Sequence, residues 1–203
     1  MSRNIDALQI VADKAGSDSF ALQCDLTDDA SIDGAISRVT AEFRGAPDVI
    51  VNNAGLFTIQ SIEATSLEEF DSLLDTNLRA PFRLVRAFLP GMRARRSGHI
   101  VTIGSVSDRH IFSGNAAYSA TKYGQRAMHE VLREETRGTG VRATLISPAA
   151  VDTDIWDPIQ FLGTTDPPDR AGMLDPSTVS AAVLFAVTQP AEVNVDELRV
   201  SRA

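Results

Sequence analysis

Two hydrophobic periods take turns along this chain, one near 3.6 residues and one short and continuous. Residues 4–15 (NIDALQIVADKA) carry apolar positions at helical spacing, with Asn4 placed to cap the start and Gly16 to stop the end. FALQCDL (20–26) reads as a short strand. Thr27 is expected to cap the next helix, whose first turn holds Asp28 and Asp29, where the helix dipole favours acids. Ile32, Ile36, Val39 and Phe43 form its apolar stripe, and Gly45 ends it. The run PDVIVNNAG (47–55) is apolar without alternation, as in strands covered on both faces of a parallel sheet.

The same alternation continues. Ser66 and Glu69 form a capping-box pattern, and the helical segment after them places Phe70, Leu73, Leu74 and Asn77 on one face, followed by Leu84, Val85 and Phe88. HIVTIGS (99–105) and VRATLIS (141–147) read as strands, separated by a helix over about 117–136. Residues 152–172 are rich in Pro, Asp and Gly and read as a loop. Asp175 and Pro176 open a helix through about Val187, and a last strand lies near 196–200. Strands alternating with helices predict an α/β fold with a doubly wound parallel sheet, which binds ligands at the carboxyl ends of its strands.

Composition narrows the partners. The 203 residues suit one domain spanning 1–203, and a net charge of -8 argues against nucleic acid. The single cysteine, Cys24, excludes an internal disulfide, reads as a small buried hydrophobe, and fits a reducing, cytoplasmic compartment. No apolar run reaches membrane-span length and no signal peptide is visible. His99, His110 and His129 have no metal-ligand spacing, so no metal site is expected. Arg109 and His110 read as exposed loop residues rather than substrate contacts. Trp156 and Phe161 suit either a substrate lid or ordinary loop packing.

Chemistry concentrates between Ser105 and Lys122 (SVSDRHIFSGNAAYSATK). Tyr118 and Lys122 are spaced i, i+4 and share one helix face. A fixed ammonium beside a phenol favours the phenolate, so Lys122 is expected to lower the Tyr118 pKa and make Tyr118 a usable acid and base. Ser105, ending a strand, is placed to hydrogen-bond a carbonyl or alcohol oxygen. Of 19 basic residues only Lys14 and Lys122 are lysine, which suggests that position 122 wants an ammonium in particular. Asn77 sits on an apolar helix face and needs a partner. Four residues later Pro81 has no N–H for the Asn77 carbonyl.

Together Asn52–Gly55 (NNAG), Asn77, Ser105, Tyr118, Lys122 and Pro148–Thr153 (PAAVDT), in that order, resemble the classical short-chain dehydrogenase/reductase family. The resemblance implies a Rossmann-like fold and an NADP-dependent oxidoreductase, NAD being possible, that interconverts a carbonyl and a secondary alcohol by hydride transfer. It implies Tyr118 as general acid/base, with Lys122 lowering its pKa and holding the nicotinamide ribose. Ser105 would position the substrate oxygen, and Asn77 would support a proton relay through its main-chain carbonyl. Cofactor contacts are expected at Arg3, Asp25, Leu26, Asn53, Ala54, Gly55, Tyr118, Lys122, Pro148, Val151 and Thr153. Ala149 stands where the family usually has Gly. The implied partners are a small-molecule carbonyl or alcohol and further copies of the chain, as a homodimer or homotetramer through the helices over 78–95 and 117–136, with no nucleic acid and no membrane. Loop 152–172 is the implied substrate lid, and the loops 106–117 and 152–172 set the substrate.

One family feature is not found: the first glycine is Gly16, so no Gly-rich turn opens the chain. Ser2-Arg3 matches the end of the family's second strand, and Arg3 there suits a 2′-phosphate. The domain is therefore expected to lack its first strand–helix–strand unit, which uncovers the edge and apolar surface of the strand over 49–51. Three readings stay open: a shortened record of an ordinary enzyme, a fold compensated by strand 20–26 moving inward or by oligomer contacts, or a remnant that binds no cofactor and acts as an interaction partner.

Overall fold

In the computed structural model, residues 1–159 and 169–203 are described. Four parallel strands form one sheet in the order β1 (Val49–Asn52), β2 (Gly98–Ile103), β3 (Val141–Pro148) and β4 (Glu197–Val200). The helices are α1 (Ile5–Ala15), α2 (Asp29–Glu42), α3 (Leu67–Leu74), α4 (Ala80–Arg95), α5 (Ala116–Thr136) and α6 (Pro176–Val187). Parallel neighbours need crossovers, and the helical segments between the strands supply them. All four strands consequently end at one edge of the sheet, where residues 53–57, 104–109 and 149–153 emerge.

Local chemistry sets most helix starts. Asn4 accepts from the Ala7 N–H, Ser66 from Glu69 and Asp175 from Ser177. For α2 the cap is Asp28, not Thr27: the Asp28 carboxylate accepts from Ala30 and Ser31, whereas Thr27 donates to Asp25. Phe43 stands past the end of α2, 54% exposed against Phe20, so it leaves the predicted stripe. The capping box is half-formed, since the Glu69 carboxylate is met by Gln60.

The core has two apolar clusters linked by α4. Cys24, Ile32, Ala35, Val39, Ala80, Leu84 and Phe88 form one, with Ile50 against it. Val85, Leu89, Met92, Ile100, Leu132, Val141 and Ala143 form the other. Helices α2, α4 and α5 thus cover the face of the sheet that carries Ile50, Ile100 and Ala143.

Two expectations fail here for one reason. Segment 20–26 makes no strand and does not move in beside β1; Gln23 forms only an isolated bridge with Ser2. A strand needs a ladder partner, and one residue pair does not supply it. β1 is not the doubly covered strand its unbroken apolar run suggests; it is an edge strand with uncovered apolar surface, as expected of a domain lacking its opening unit, with Val49 at 42% and Val51 at 43% exposure.

Between α3 and α4 lies the feature that periodicity did not announce. Residues Asp75–Arg79 form a π-turn, with the Ala80 N–H reaching back to the Asp75 carbonyl. The extra residue in the turn, followed by Pro81 in the first turn of α4, resets the helix face on which Asn77 sits.

Candidate active site

The site forms where β1, β2 and β3 end. Ser105 follows β2 in extended conformation, caps a short turn by accepting from the Ser107 N–H at 3.1 Å, and is hydrogen-bonded to the Tyr118 hydroxyl. Tyr118 and Lys122 project from the first two turns of α5. Lys122 is 5% exposed; its ammonium donates to the Ile103 carbonyl and to Gln125 Oε1, both at 3.0 Å, and stands 5.7 Å from the Tyr118 ring centre.

Electrostatics differ from the sequence expectation. Burial pushes the Tyr118 phenol up to about 12; the Ser105 hydrogen bond pulls the other way and the negative charge of Asp108 adds to the rise. Desolvation outweighs any lowering by the Lys122 ammonium, which stands off the ring rather than against the hydroxyl. That ammonium is itself brought down to about 8 by burial, with Asp108 opposing. At neutral pH Tyr118 is therefore a neutral phenol that can give a proton, and Lys122 is a cation held in a dry site.

Asn77 is fully buried and acts as a clamp. Its Oδ1 accepts from the Leu56 N–H at 2.7 Å, and its Nδ2 donates to the Leu56 carbonyl at 2.9 Å and to Thr121 Oγ1 at 3.0 Å. Thr121 in turn donates to the Tyr118 carbonyl. The side chain thus ties the loop after β1 to α5. Its carbonyl still lacks a donor at position 81, because Pro81 has no N–H.

Around this centre the other predicted residues are unevenly gathered. Asn53 and Ala54 are exposed, and Gly55 has room, since a Cβ added there would meet only Asn77 Oδ1, at 3.4 Å. Pro148 ends β3, Val151 forms an isolated bridge with Leu174, and Thr153 precedes the turn Asp154–Trp156. Trp156 donates its indole N–H to the Val151 carbonyl and meets Phe57 edge-on at 4.9 Å; Phe57 meets Tyr118 in the same way at 4.7 Å. This aromatic row joins the loop after β3 to the tyrosine. Phe161 and most of the middle of loop 152–172 lie outside the described residues.

Arg3, Asp25 and Leu26 stand apart from the tyrosine, on the segments flanking the Ser2–Gln23 bridge. The Thr27 N–H and hydroxyl hold the Asp25 carboxyl below its usual range, and the Arg3 charge adds to this. The carboxylate faces its own turn, and Arg3 is exposed beside it.

Sequence reasoning missed Asp108 and misplaced Arg109. Asp108 is fully buried; it accepts from Arg109 Nε at 2.6 Å and from the Ser147 hydroxyl. Arg109 also pairs with Glu197 of β4 at 2.6 Å and is only 16% exposed, so it is a structural cation rather than an exposed loop residue. This network fastens the turn after β2 to β3 and β4. Gly104 makes room for it, since a Cβ there would lie 2.8 Å from Asp108 Oδ2 and 3.0 Å from Ser147 Oγ. The available signal was the Gly104–Ser105 step followed by adjacent Asp and Arg, which suits a buried ion pair behind a tight strand end.

Comparison with known proteins agrees with this architecture. The family model for short chain dehydrogenases matches residues 1–160. An uncharacterized oxidoreductase of Staphylococcus aureus (strain MW2) is 35% identical over 199 residues, covering 98% of this chain and 83% of the relative. The crystal structure of serine dehydrogenase from Escherichia coli superposes with a TM-score of 0.82 at 32% identity, covering 98% of this chain and 83% of that one. A metagenomic short-chain oxidoreductase in complex with NADP superposes at 0.81 with 28% identity, covering 100% of this chain and 85% of that one. The chain belongs to the short-chain dehydrogenase/reductase family of oxidoreductases.

Proposed function

We propose that the chain is an NADP-dependent reductase of a small carbonyl compound, running the carbonyl/alcohol interconversion with Tyr118 as the proton donor. The observation that carries the reading is the Tyr118 hydroxyl, hydrogen-bonded to Ser105 and kept protonated by burial, at the edge where three strands end. A carbonyl oxygen that replaces this mutual contact would take hydrogen bonds from both hydroxyls and the proton from Tyr118. Reduction needs the protonated phenol, and that is the form present at neutral pH, since burial holds the Tyr118 pKa up at about 12. When bound, a nicotinamide cofactor supplies the hydride.

The residues present fit the nicotinamide end of such a cofactor. Lys122 offers ammonium protons, the backbone at Asn53–Gly55 is open, and Pro148, Val151 and Thr153 border the same edge. Asn77 holds Leu56 and thereby the Asn53–Gly55 backbone in place. At the adenosine end, Asp25 and Leu26 would meet the adenine, and exposed Arg3 beside Asp25 is suited to a 2′-phosphate, which is why NADP is favoured over NAD. Among the described residues the Asp25 carboxylate accepts from Thr27, so its part there is to set the backbone of this turn. The described start of segment 152–172 would border the substrate, with Trp156 edge-on to Phe57 as its inner wall.

A second copy of the chain is the proposed partner. A groove of about 1060 Å³ runs between α3, α4 and α5, where Phe82 and Val131 are 53% and 56% exposed. Its lining carries both Arg79, Arg86 and Arg93 and Asp71, Asp75 and Glu135, so a two-fold copy would meet opposite charges.

A second reading, an interaction protein that holds no cofactor, is favoured by one observation: β1 ends the sheet with its outer edge open and its valines exposed. The reductase reading is tested by following NADPH consumption against a panel of aldehydes and ketones. Turnover that falls by about 10³ or more in Tyr118→Phe supports it; turnover unchanged in that variant rejects Tyr118 as the donor.

A further inference from the structure

Besides the Ile103 carbonyl, the side chain that meets the Lys122 ammonium is neither Tyr118 nor a carboxylate. It is Gln125, 1% exposed, one turn further along α5, whose Oε1 accepts from Nζ at 3.0 Å. The spacing i, i+3 puts both side chains on the helix face that looks onto the end of β2. A primary amide against a cation has only one useful orientation, oxygen towards the charge. Behind Gln125, one turn on, His129 is 2% exposed and meets Thr102 Oγ1 of β2 at 3.3 Å. Lys122, Gln125 and His129 therefore form a polar stripe buried between α5 and β2, in a seam otherwise filled by Leu132 and Ile100. Nothing in the structural packing asks for an amide at position 125; an aliphatic side chain of similar volume would fill the seam without leaving Nε2 unpaired, as it is among the described residues.

We propose that Gln125 is a positioning residue, which holds the Lys122 ammonium from behind and keeps it charged and aimed at the strand ends. The proposal rests on the reading of Lys122 as the cation of the active site. Two acceptors, the Ile103 carbonyl and Gln125 Oε1, then fix two of the three ammonium protons and leave the third for the open edge. Among the titratable groups around the ammonium, Tyr118 and His129 share its helix and Asp108 faces it from the turn after β2. His99 belongs to the opposite face of β2, bonded to Thr144, with the sheet between. Among the described residues Asp108 is the negative charge acting on Lys122, and it already pairs with Arg109 and Ser147. The neutral acceptor at 125 supports the cation without adding a second buried carboxylate beside Tyr118.

The chain has only two lysines, so lysine labelled with carbon-13 at Cε gives two signals, one from exposed Lys14 and one from buried Lys122. Their pH titration by NMR, in the protein free of cofactor and substrate, reads the state of Lys122 whether or not the chain turns anything over. Gln125→Met should lower the Lys122 midpoint by about 1 unit, because a hydrogen bond to a charged group is lost. Gln125→Glu should raise it by about 1 unit or more, since a carboxylate replaces the amide at the same position. Opposite movements are the expected signature. A midpoint unmoved in Gln125→Met, or a fall in Gln125→Glu as well, overturns the proposal. If one variant fails to fold, the other decides alone by the direction given for it. Absence of turnover in every variant alongside opposite titration shifts would reject the reductase reading and leave the positioning role of Gln125 intact.

Discussion

Lys122 donates to the Ile103 carbonyl oxygen at 3.0 Å, so the ammonium is moored to the end of β2 while its ring contact with Tyr118 is a looser 5.7 Å to the centroid. A charge held this way in a dry seam is costly to the fold, and the cost is measurable. Lys122 titrates near 8 in the folded chain against 10.5 unfolded. A depressed lysine penalises folding fully below about 8; the penalty shrinks as pH rises from about 8 to 10.5 and vanishes above that. Lys122→Met should accordingly raise unfolding stability at neutral pH by about 3 kcal/mol and lose the advantage by about pH 10.5. Urea unfolding of both proteins at the two pH values checks this.

Two buried histidines set the acid limit. Burial is the main cause that brings both His99 and His129 down to about 4 from 6.5. The neutral forms are favoured in the folded chain, so their contribution is complete above about pH 6.5 and is lost as pH falls towards 4. Between about pH 7 and pH 5 each should take away about 2 kcal/mol. Replacing His129 by Leu should halve that slope in urea unfolding; an unchanged slope would show that His129 is already protonated or accessible in the fold.

The Asp108–Arg109 pair should behave as a buried ion pair with one essential partner each way. Arg109→Ala leaves a fully buried carboxylate uncompensated and should cost about 3–5 kcal/mol. The double variant Asp108→Ala with Arg109→Ala should be the more stable of the two, which a double-mutant cycle in urea would read directly.

Asn77 and Thr121 should couple. Thr121→Val removes the acceptor of one Asn77 N–H and should cost about 1–2 kcal/mol, because the buried donor keeps only the Leu56 carbonyl. In Asn77→Ala that donor is gone, so the same threonine change should cost less; the difference measures the clamp between the β1 loop and α5.

In the groove between α4 and α5, Val131→Arg should break the proposed dimer while leaving the monomer folded, since Val131 is half-exposed in the single chain. Light scattering after size exclusion gives the answer; a wild-type protein that elutes as a monomer contradicts the assembly.

Much of the site was legible because it is local. Tyr118 and Lys122 needed only helical spacing, Ser105 only the end of an apolar run, and Asn4, Ser66 and Asp175 only their capping chemistry. What stayed hidden depends on distant partners. Asp108 looks like a surface acid until Ser147, 39 residues away, donates to it. Segment 20–26 has strand composition, yet a ladder takes two sides and Ser2 offers a single bridge. The rise of the Tyr118 pKa was likewise unreadable, because helical spacing reports that Lys122 is near and says nothing of the desolvation that outweighs its charge. The π-turn at Asp75–Arg79 leaves no compositional trace beyond Pro81.

Cofactor capture at the strand ends is what the proposed reductase most directly requires. Titrating NADPH into the chain while following its fluorescence should give saturable binding, weakened by about tenfold or more in Lys122→Met, since one buried ammonium contact is removed. A flat titration with the wild-type chain, or equal affinity in Lys122→Met, would contradict it.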